Sequence, residues 1–303
     1  MIDFTSRQLR AFLLVAQHRS FSKAAGALFV TPSGLSILIR EFEAQLGTRL
    51  FNRTTRRVEL TRSGEELLTV ARNNLRELDR AMSHIERPEG TTLLSIGSLP
   101  LIATTVLVRA IREFQVHRPD FQFRLFDTDS ATAMQKVESG ELDMAVGVFF
   151  KYLPGIRRTL LFRFPLVMIR GSAAQASRRG TTSWSALKGE KLISLTASFP
   201  FQRFIDQHLT KAGVKYQPSL VVNYLNTQIA LVEAGEGIAI IPSYGILACR
   251  DQRTVTSRLI NPAVQVDFHE IRHGGRKLPS IADEFTSFLS SYVATWAGRS
   301  GFV

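Results

Sequence analysis

The chain has 303 residues, of which 45% are hydrophobic and 21% are charged, and Cys249 is its only cysteine. A chain of this length buries enough surface to fold without a disulfide or a metal. A single thiol excludes an internal disulfide, a four-cysteine zinc site and a Cys-x-x-Cys redox pair. Charged residues interrupt the first 20 residues, unlike a signal peptide, and no run of 18 apolar residues exists. We therefore expect a cytoplasmic protein with no membrane partner.

The net charge of +12 suggests a polyanionic partner. Residues 1–92 have a net charge of +4, and residues 93–303 have a net charge of +8. Because the excess is spread along the chain, the total charge does not locate a nucleic-acid site. The local sequence pattern has to do so.

Three short helices are predicted within the first 47 residues. Thr5 begins the first helix with the spacing of a capping box. Ser22 is predicted to cap the second helix. Thr31 is a good N-cap for the third helix, Pro32 suits its first position, and Gly47 ends it.

The third predicted helix has two different faces. One face is apolar and must pack on the first two helices; it consists of Leu35, Leu38, Ile39, Phe42 and Leu46. The opposite face has fewer Lys and Glu residues than a solvated face usually has; it consists of Ser33, Ser36, Ile37 and Arg40. A helix, a tight turn and a helix with short side chains form a helix-turn-helix, whose second helix enters the major groove of DNA. There Ser and Arg bond to bases or phosphates, and Ile37 packs on a thymine methyl group. The alternative is an ordinary solvated face.

The segment from Arg49 to Leu60 alternates arginines with apolar and threonine residues around a turn-like centre. This pattern predicts a β-ribbon wing whose tip reaches phosphates or a narrow minor groove. The alternative is a basic, solvated hairpin. The tip residues expected to contact DNA are Arg53, Thr54, Arg56 and Arg57.

A long helix is predicted to begin at the cap Thr61 and to end before Pro88 and Gly90. Its apolar residues recur at alternating spacings of three and four residues, which is a heptad seam. We expect this seam to join two chains; the alternative is a helix that packs on its own domain. The seam consists of Leu68, Ala71, Leu75, Leu78, Met82 and Ile85.

From Thr92 onward, short apolar segments alternate with helical ones, which predicts a parallel sheet in two α/β lobes joined by a crossover. The predicted strands are 93–99, 121–126, 142–148, 160–169, 192–195, 220–222, 238–241 and 262–272. The predicted helical segments are 103–117, 131–139, 183–187, 199–212, 227–234 and 281–296.

An ordered string of motifs runs through the first domain. It includes Ser20-Phe21-Ser22-Lys23-Ala24-Ala25, Val30-Thr31-Pro32-Ser33-Gly34-Leu35-Ser36, Ile39-Arg40, Leu46-Gly47 and Arg49-Leu50-Phe51. Through this string, residues 5–64 resemble the LysR-type transcriptional regulators. The segments 140–143 and 233–242 look like recurring elements of the second domain of that family, so the resemblance covers the whole chain.

The resemblance implies a multidomain fold in three parts. These are an N-terminal winged helix-turn-helix at 1–60, a dimerising linker helix at 61–89, and a two-lobed α/β effector domain at 90–303 that is similar to periplasmic solute-binding proteins. Lobe I is expected at about 90–163 and 270–303, and lobe II at about 164–269. The resemblance also implies homodimers or homotetramers on inverted-repeat operators in double-stranded DNA, contact with RNA polymerase, and a small-molecule effector between the lobes.

Some positions depart from the family pattern. Many members have Gln where Pro32 stands, Arg or His where Ile37 stands, and Gln where Leu38 stands. These departures shift the expected readout toward methyl contacts, phosphate contacts and DNA shape. Outside the wing, the residues expected to contact DNA are Lys23, Thr31, Pro32, Ser33, Ser36, Ile37 and Arg40.

In a two-lobed α/β domain, the ligand lies at the C-terminal ends of strands, beside helix N-termini. Hydroxyl groups and helix N-termini suit an anion such as a carboxylate, and the net +8 of residues 93–303 agrees with that. For each single residue the alternative is a helix cap or core packing. The expected effector-binding residues are Ser98, Leu99, Thr128, Ser130, Phe149, Thr196, Ser198, Asn226 and Ile241.

No common catalytic motif is present: the sequence lacks His-Glu-x-x-His, Gly-x-Ser-x-Gly, Gly-x-Gly-x-x-Gly and a P-loop. His269 and His273 are four residues apart, but this spacing does not bring side chains together at a strand end. We predict a transcriptional regulator with no catalysis, no cofactor and no metal. The alternatives are a solute-binding module without specific DNA binding and an enzyme with an undetected site.

Overall fold

The computed structural model describes residues 4–53, 58–85, 92–171, 179–250 and 254–299. The chain divides into two compact units, residues 1–87 and residues 88–303. The N-terminal unit consists of α1 (Ser6–His18), α2 (Phe21–Ala27), α3 (Pro32–Leu46), β1 (Phe51–Arg53), β2 (Val58–Leu60) and α4 (Arg62–Ile85).

Side-chain caps fix where the first three helices begin. The hydroxyl of Thr5 accepts a hydrogen bond from the backbone N–H of Gln8, and Thr31 caps α3 by accepting one from Gly34, as predicted. The start of α2 differs from the prediction. Its N-cap is Ser20, whereas Ser22 is the second residue inside the helix.

The core of the N-terminal unit lies between α1, α2, α3 and the ribbon of β1 and β2. Leu35, Ile39 and Phe42 are fully buried there, as the apolar face of α3 predicts. The first turns of α4 join the same core: Ala71 is 2% exposed, and Leu68 packs against the cluster. The predicted place of Ala71 in an intermolecular seam is therefore wrong, because α4 packs on α1 of its own domain at these turns.

Glu43 fastens α3 to the ribbon. Its Oε1 accepts hydrogen bonds from the backbone N–H groups of Leu50, at 2.8 Å, and Phe51, at 3.2 Å. Phe51 is then paired antiparallel with Leu60 on β2. One carboxylate on α3 thus determines where the ribbon leaves the helical core.

No single helix among the described residues is long and apolar enough to span a membrane. Helices α2 and α3 reach that length and hydropathy only when taken together, and they are bent by 98° relative to each other.

The C-terminal unit has the two-lobed α/β architecture, and its described residues form one eight-stranded and one two-stranded sheet. Its first half contains β3 (Thr92–Ser98), α5 (Pro100–Ile102), a π-helical turn (Ala103–Leu107), α6 (Val108–His117), β4 (Phe121–Asp127), α7 (Ser130–Glu138), β5 (Met144–Gly147) and β6 (Ile156–Gly171). Its second half contains β7 (Arg179–Ser183), a 3-10 turn (Trp184–Leu187), β8 (Ile193–Leu195), α8 (Pro200–Lys211), β9 (Leu220–Val222), α9 (Leu225–Glu233), β10 (Ile238–Pro242), a 3-10 turn (Ser243–Ala248), β11 (Thr254–Ile260), β12 (Gln265–His273) and α10 (Ser280–Arg299).

The long strand β6 takes part in both lobes. From Ile156 to Pro165 it pairs with β12, and from Leu166 to Gly171 it pairs with β10 and β11. All of these pairs are antiparallel, whereas β3 is parallel to β4 and β5, and β8 is parallel to β9. The predicted parallel arrangement is therefore right for the latter strands, whereas β6 and β12 pair antiparallel. These two are antiparallel because they carry the chain from one lobe to the other and back.

We expect Glu43→Ala to lower the free energy of unfolding of the N-terminal unit by about 1–3 kcal/mol, because two backbone donors lose a charged acceptor. Urea unfolding followed by circular dichroism measures this. Both tryptophans, Trp184 and Trp296, lie in the C-terminal unit, so fluorescence does not report on the change. Glu41→Ala is the matched control, since Glu41 is exposed on the same helix. Equal stability of the two variants would contradict the fastening role of Glu43.

Candidate DNA-binding surface and effector cleft

The face of α3 opposite the core is accessible. Ser33, Ile37 and Arg40 are exposed, Ile37 at 49%, and Ser36 is half-buried. The hydroxyl of Ser33 lies 3.1 Å from that of Thr31, and Nε of Arg40 donates to the carbonyl of Ser36 at 3.4 Å. Because the serines are short, one guanidinium and one branched apolar side chain project from this face.

The other predicted contacts divide into exposed and undescribed residues. Lys23, Thr31 and Pro32 are exposed near the start of α2 and α3. Arg53 ends β1, opposite Val58 on β2, so the two strands flank the predicted wing tip. The residues of that tip lie outside the described part of the chain, as does the side chain of Arg53; they are Thr54, Arg56 and Arg57.

Phe29, in the turn between α2 and α3, was not predicted as a surface feature. Its side chain is 96% exposed, and its backbone has a φ of 55°. A bulky residue rarely adopts this left-handed conformation, which costs about 1–3 kcal/mol. The next residue, Val30, donates its N–H to the carbonyl of Ala25 at 3.0 Å. The packing of two helices thus maintains a tight turn that the sequence alone does not favour.

Beyond Ala71, the predicted seam of α4 is accessible on the single chain. Leu78 is 57% and Met82 is 59% exposed, while Leu75 is half-buried. The side chain of Ile85 lies outside the described residues. Two large apolar side chains one turn apart on a helix form a surface that association with a partner would bury.

In the C-terminal unit, the C-terminal ends of strands from both lobes meet at one cleft. The cavity at the bottom of this cleft has a volume of about 90 Å³. The residues that follow β3, β4, β5, β8, β9 and β10 all line it. Aromatic rings form much of the wall; they belong to Phe150, Phe199, Phe201, Tyr224 and Tyr244.

Phe150 connects the two lobes at this cleft. It follows β5, and its ring lies 6.3 Å from that of Phe201 and 5.3 Å from that of Phe204, both on α8. The ring of Phe204 in turn contacts that of His208, which stacks on the buried Trp184. A side chain from one lobe thus rests on an aromatic stack of the other.

Asp129 is the one charged side chain that the described residues bring to the cleft wall. Partial burial opposes its ionisation. The hydrogen bonds donated by the Thr132 hydroxyl and by the N–H groups of Thr132 and Ala131 outweigh this, and they hold the pKa of Asp129 below its usual range. The cleft therefore has a carboxylate cap at α7 and no described cationic side chain to pair with an anion.

Two helices begin at the cleft with free backbone donors. The N-caps of α8 and α9 are Phe199 and Tyr224, and neither forms a side-chain cap hydrogen bond. The N–H groups of the first turns therefore remain available to an acceptor group on a ligand. Asn223 and Asn226 add amide groups at the same edge.

The structure divides the nine predicted effector residues. Leu99, Thr128, Ser130 and Asn226 line the cleft. The other five do not line it: Ser98 donates its hydroxyl to the carbonyl of Val146, Thr196 donates to Asn223, Ser198 is exposed outside the cleft, and Phe149 and Ile241 are buried.

Of two adjacent phenylalanines after β5, the expected site residue Phe149 does not face the cleft. Side chains alternate between the two faces of a strand and its continuation, and Phe149 packs with Met134 and Ile271 on the outer side of β5. Its neighbour Phe150 faces the cleft instead. By the same alternation, Pro242 lines the cleft where Ile241 was expected.

Three residues that line the cleft were not among the expected effector-binding residues; they are Tyr224, Tyr244 and Asp129. Tyr224 and Tyr244 stand among polar and small residues after β9 and β10, without a periodic pattern. A signal for Asp129 did exist, because an Asp before a predicted helix is a preferred N-cap.

No group of His, Cys, Asp and Glu side chains within the described ranges is arranged to hold a metal ion. The thiol of Cys249 is half-buried, and burial, together with the nearby Glu233, raises its pKa to about 12. A thiol in this state is a poor nucleophile at neutral pH.

Each of the two units matches a known protein family. Residues 6–65 match the family described as bacterial regulatory helix-turn-helix protein, lysR family, and residues 88–294 match the LysR substrate binding domain. The second match alone covers more than half of the chain. The protein therefore belongs to the LysR family of DNA-binding transcriptional regulators, with a helix-turn-helix domain and an effector-binding domain.

Individual relatives agree in length and fold. The uncharacterized HTH-type regulator YbhD of Escherichia coli K12 is 26% identical over 93% of this chain and 89% of its own. The hydrogen peroxide-inducible genes activator of Pectobacterium carotovorum is 27% identical over 79% of this chain and 80% of its own. Full-length OxyR of Pseudomonas aeruginosa has the same fold, with a TM-score of 0.67, 18% identity and 95% of each chain covered.

We expect Phe150→Ala to weaken binding of the neutral aromatic dye N-phenyl-1-naphthylamine about 5- to 10-fold, because one aromatic contact of about 1–1.5 kcal/mol is lost. Dye fluorescence measures the affinity. Tyr152→Ala is the matched control, since Tyr152 is an aromatic residue close in sequence, 73% exposed and outside the cleft. If both variants bind the dye like the unchanged protein, Phe150 is not part of the binding wall.

Proposed function

We propose that this protein recognises an inverted-repeat operator in the cytoplasm by placing α3 in the major groove, with the wing against the flanking backbone. The observation that carries the proposal is the outer face of α3. It exposes Ser33, Ile37 and Arg40, with the half-buried Ser36 among them. Short side chains let a helix approach base edges closely, an isoleucine suits a thymine methyl group, and an arginine suits guanine or phosphate.

The fixed position of α3 supports this role. Its N-terminus is capped by Thr31, and Glu43 ties it to the ribbon that carries the wing. A recognition element has to be held rigidly, because an error of one ångström weakens several hydrogen bonds at once.

We expect Arg40→Ala to weaken binding to the DNA immediately upstream of the protein's own gene by at least 10-fold, because one base or phosphate contact is lost. Fluorescence anisotropy at fixed, near-physiological salt measures this, with scrambled DNA of the same length as competitor. Arg10→Ala is the matched control, since Arg10 is exposed on α1 and removes the same charge from the same domain.

The results separate the candidate functions. Preference for the upstream DNA by 10³-fold or more, lost in the Arg40 variant alone, is typical of a specific regulator. Equal binding to both DNAs would require selection from genomic fragments. If that selection also failed, the chain would be a solute-binding module that binds DNA only through its charge.

We also propose that α4 joins two chains through Leu75, Leu78 and Met82. Its first turns pack on their own domain, so the seam is shorter than the sequence suggested, beginning after Ala71. Two dimers joined through their effector domains would form a tetramer, and contact with RNA polymerase would follow from binding near a promoter.

We expect the double substitution Leu78→Glu and Met82→Glu to dissociate the dimer, because it places two carboxylates in an apolar seam. Sedimentation velocity measures the mass. Val70→Glu is the control, since Val70 is 55% exposed on α4 but lies outside the seam. Identical masses for both variants and the unchanged chain would place the dimer contact elsewhere.

The cleft between the lobes is the proposed effector site. Its aromatic wall favours a molecule with a flat, apolar body, and the free donors of α8 and α9 favour one hydrogen-bond acceptor group at its end. A carboxylate fits only through those helix donors, because no described cationic side chain lines the cleft. The effector acts by binding one arrangement of the lobes more tightly than another.

Some relatives are named as hydrogen peroxide-inducible genes activators, but we do not propose redox sensing by a thiol pair for this chain. This chain has Cys249 alone, and burial keeps its thiol protonated at neutral pH. Binding of a small molecule is the signal that the described residues support.

A further inference from the structure

Phe29 is the most exposed large apolar side chain among the described residues, at 96%. It lies in the turn between α2 and α3, two residues before Thr31, the N-cap of α3. Its neighbours Leu28 and Val30 both pack against the core of the N-terminal unit. The ring between them therefore points outward into solvent.

The backbone conformation of Phe29 is unfavourable for this residue type. Its φ of 55° lies in the left-handed region, which Gly and Asn adopt far more readily than Phe. Its N–H donates to the carbonyl of Gly26 at 3.3 Å, and the N–H of Val30 donates to the carbonyl of Ala25 at 3.0 Å. A side chain that is both exposed and on a strained backbone adds no stability to the fold. Such positions cluster at functional sites.

The surface around Phe29 has a charge pattern that suits a polyanion. Residues 4–40 contain five arginines and lysines and no aspartate or glutamate. Between Lys23 and Arg40 no residue is charged. The exposed residues of this uncharged stretch are Gly26, Ala27, Phe29, Thr31, Pro32, Ser33 and Ile37. An uncharged surface between basic residues is complementary to a groove of DNA with its bordering phosphates.

Phe29 is also continuous in sequence with the face of α3 that is proposed to enter the major groove. The recognition helix of a helix-turn-helix contacts base edges with its N-terminal residues, and Phe29 stands three residues before Pro32, the first residue of α3. A side chain at this point is expected at the edge of the groove. A phenylalanine ring has no hydrogen bond to offer there, and its suitable contact is the C5-methyl group of a thymine.

We infer that Phe29 is a specificity-determining residue that packs on the methyl group of one thymine at the edge of each operator half-site. The inference rests on the proposed placement of α3 in the major groove, and it adds a contact from outside α3. Because the turn fixes the direction of the backbone, little conformational freedom is lost when DNA covers the ring. The basic residues attract any DNA, whereas the ring favours DNA with a thymine at this position.

The first test compares the full-length protein with its Phe29→Asn and Phe29→Tyr variants. Asn tolerates the left-handed conformation and lacks the ring. We therefore expect Phe29→Asn to have an equal or higher urea midpoint by circular dichroism, together with at least 5-fold weaker specific binding by fluorescence anisotropy. Tyr keeps the ring and should bind as the unchanged chain does. Neither substitution changes the charge, so binding to scrambled DNA and its salt dependence should stay the same.

The DNA is the segment immediately upstream of the protein's own gene or, where that segment is not preferred, a fragment selected from genomic DNA. Its thymines are replaced by deoxyuridine, one symmetric pair at a time, which removes only the methyl groups. We expect one pair whose replacement weakens binding of the unchanged chain, by about 3-fold for each methyl group, and does not affect Phe29→Asn. Ile37→Ala is the matched control, since Ile37 is an apolar side chain exposed on α3. This control should remain sensitive at the pair assigned to Phe29.

Three results would overturn the inference: specific binding by Phe29→Asn that equals that of the unchanged chain, a lower urea midpoint that accompanies the loss of binding, or no thymine pair that affects the unchanged chain alone. A change of mass in sedimentation, with unchanged DNA binding, would make Phe29 a contact between two copies of this chain instead. If the unchanged chain prefers no DNA at all, the proposed placement of α3 fails together with the inference. A preference that Phe29→Asn retains in full overturns the inference alone.

Discussion

The C-terminal unit depends on one strand that belongs to two lobes. Residues 156–165 of β6 pair with β12, and residues 166–171 pair with β10 and β11, so backbone hydrogen bonds run through the lobe junction. Because β6 continues through that junction and β12 pairs with its first part, the lobes can rotate about these strands but cannot separate. The cleft is formed by the strand ends that this arrangement brings face to face. The proposed binding site is thus a consequence of where the chain crosses.

Structural features that are determined by neighbouring residues can be predicted from the sequence, whereas features that depend on distant residues cannot. The helix starts at Thr5 and Thr31 and the buried face of α3 follow from capping and from the 3.6-residue period, which act within one element. The antiparallel pairing of β6 depends on residues about 100 positions later, and no local pattern encodes it. Strand β7, Arg-Gly-Thr-Thr-Ser, has no apolar residue to signal it and exists because β11 pairs with it.

The same contrast between local and distant causes applies to the residues of the candidate sites. The ends of the strands line the cleft, yet the expected site residue Phe149 packs away from it, whereas Phe150 faces it. In a strand and its continuation, an error of one residue exchanges the inner and outer faces. The apolar residues of α4 recur with the predicted heptad spacing. This spacing does not show whether their side chains are covered by the same domain or by a second chain. The domain itself covers Ala71, whereas Leu78 and Met82 remain exposed.

The positions of charged residues differ from what the net charge of the C-terminal unit suggests. The net +8 of residues 93–303 was taken to favour an anion in the cleft, but the described cleft wall contains Asp129 and no arginine or lysine. Within the same unit, Arg109 and Arg250 lie outside the cleft lining. A ligand is attracted by charges within about a Debye length of its site, about 8 Å at physiological salt, and more distant charges are screened. The net charge of a domain therefore indicates that the domain attracts anions. Only the positions of individual guanidinium groups indicate where on the domain an anion would bind.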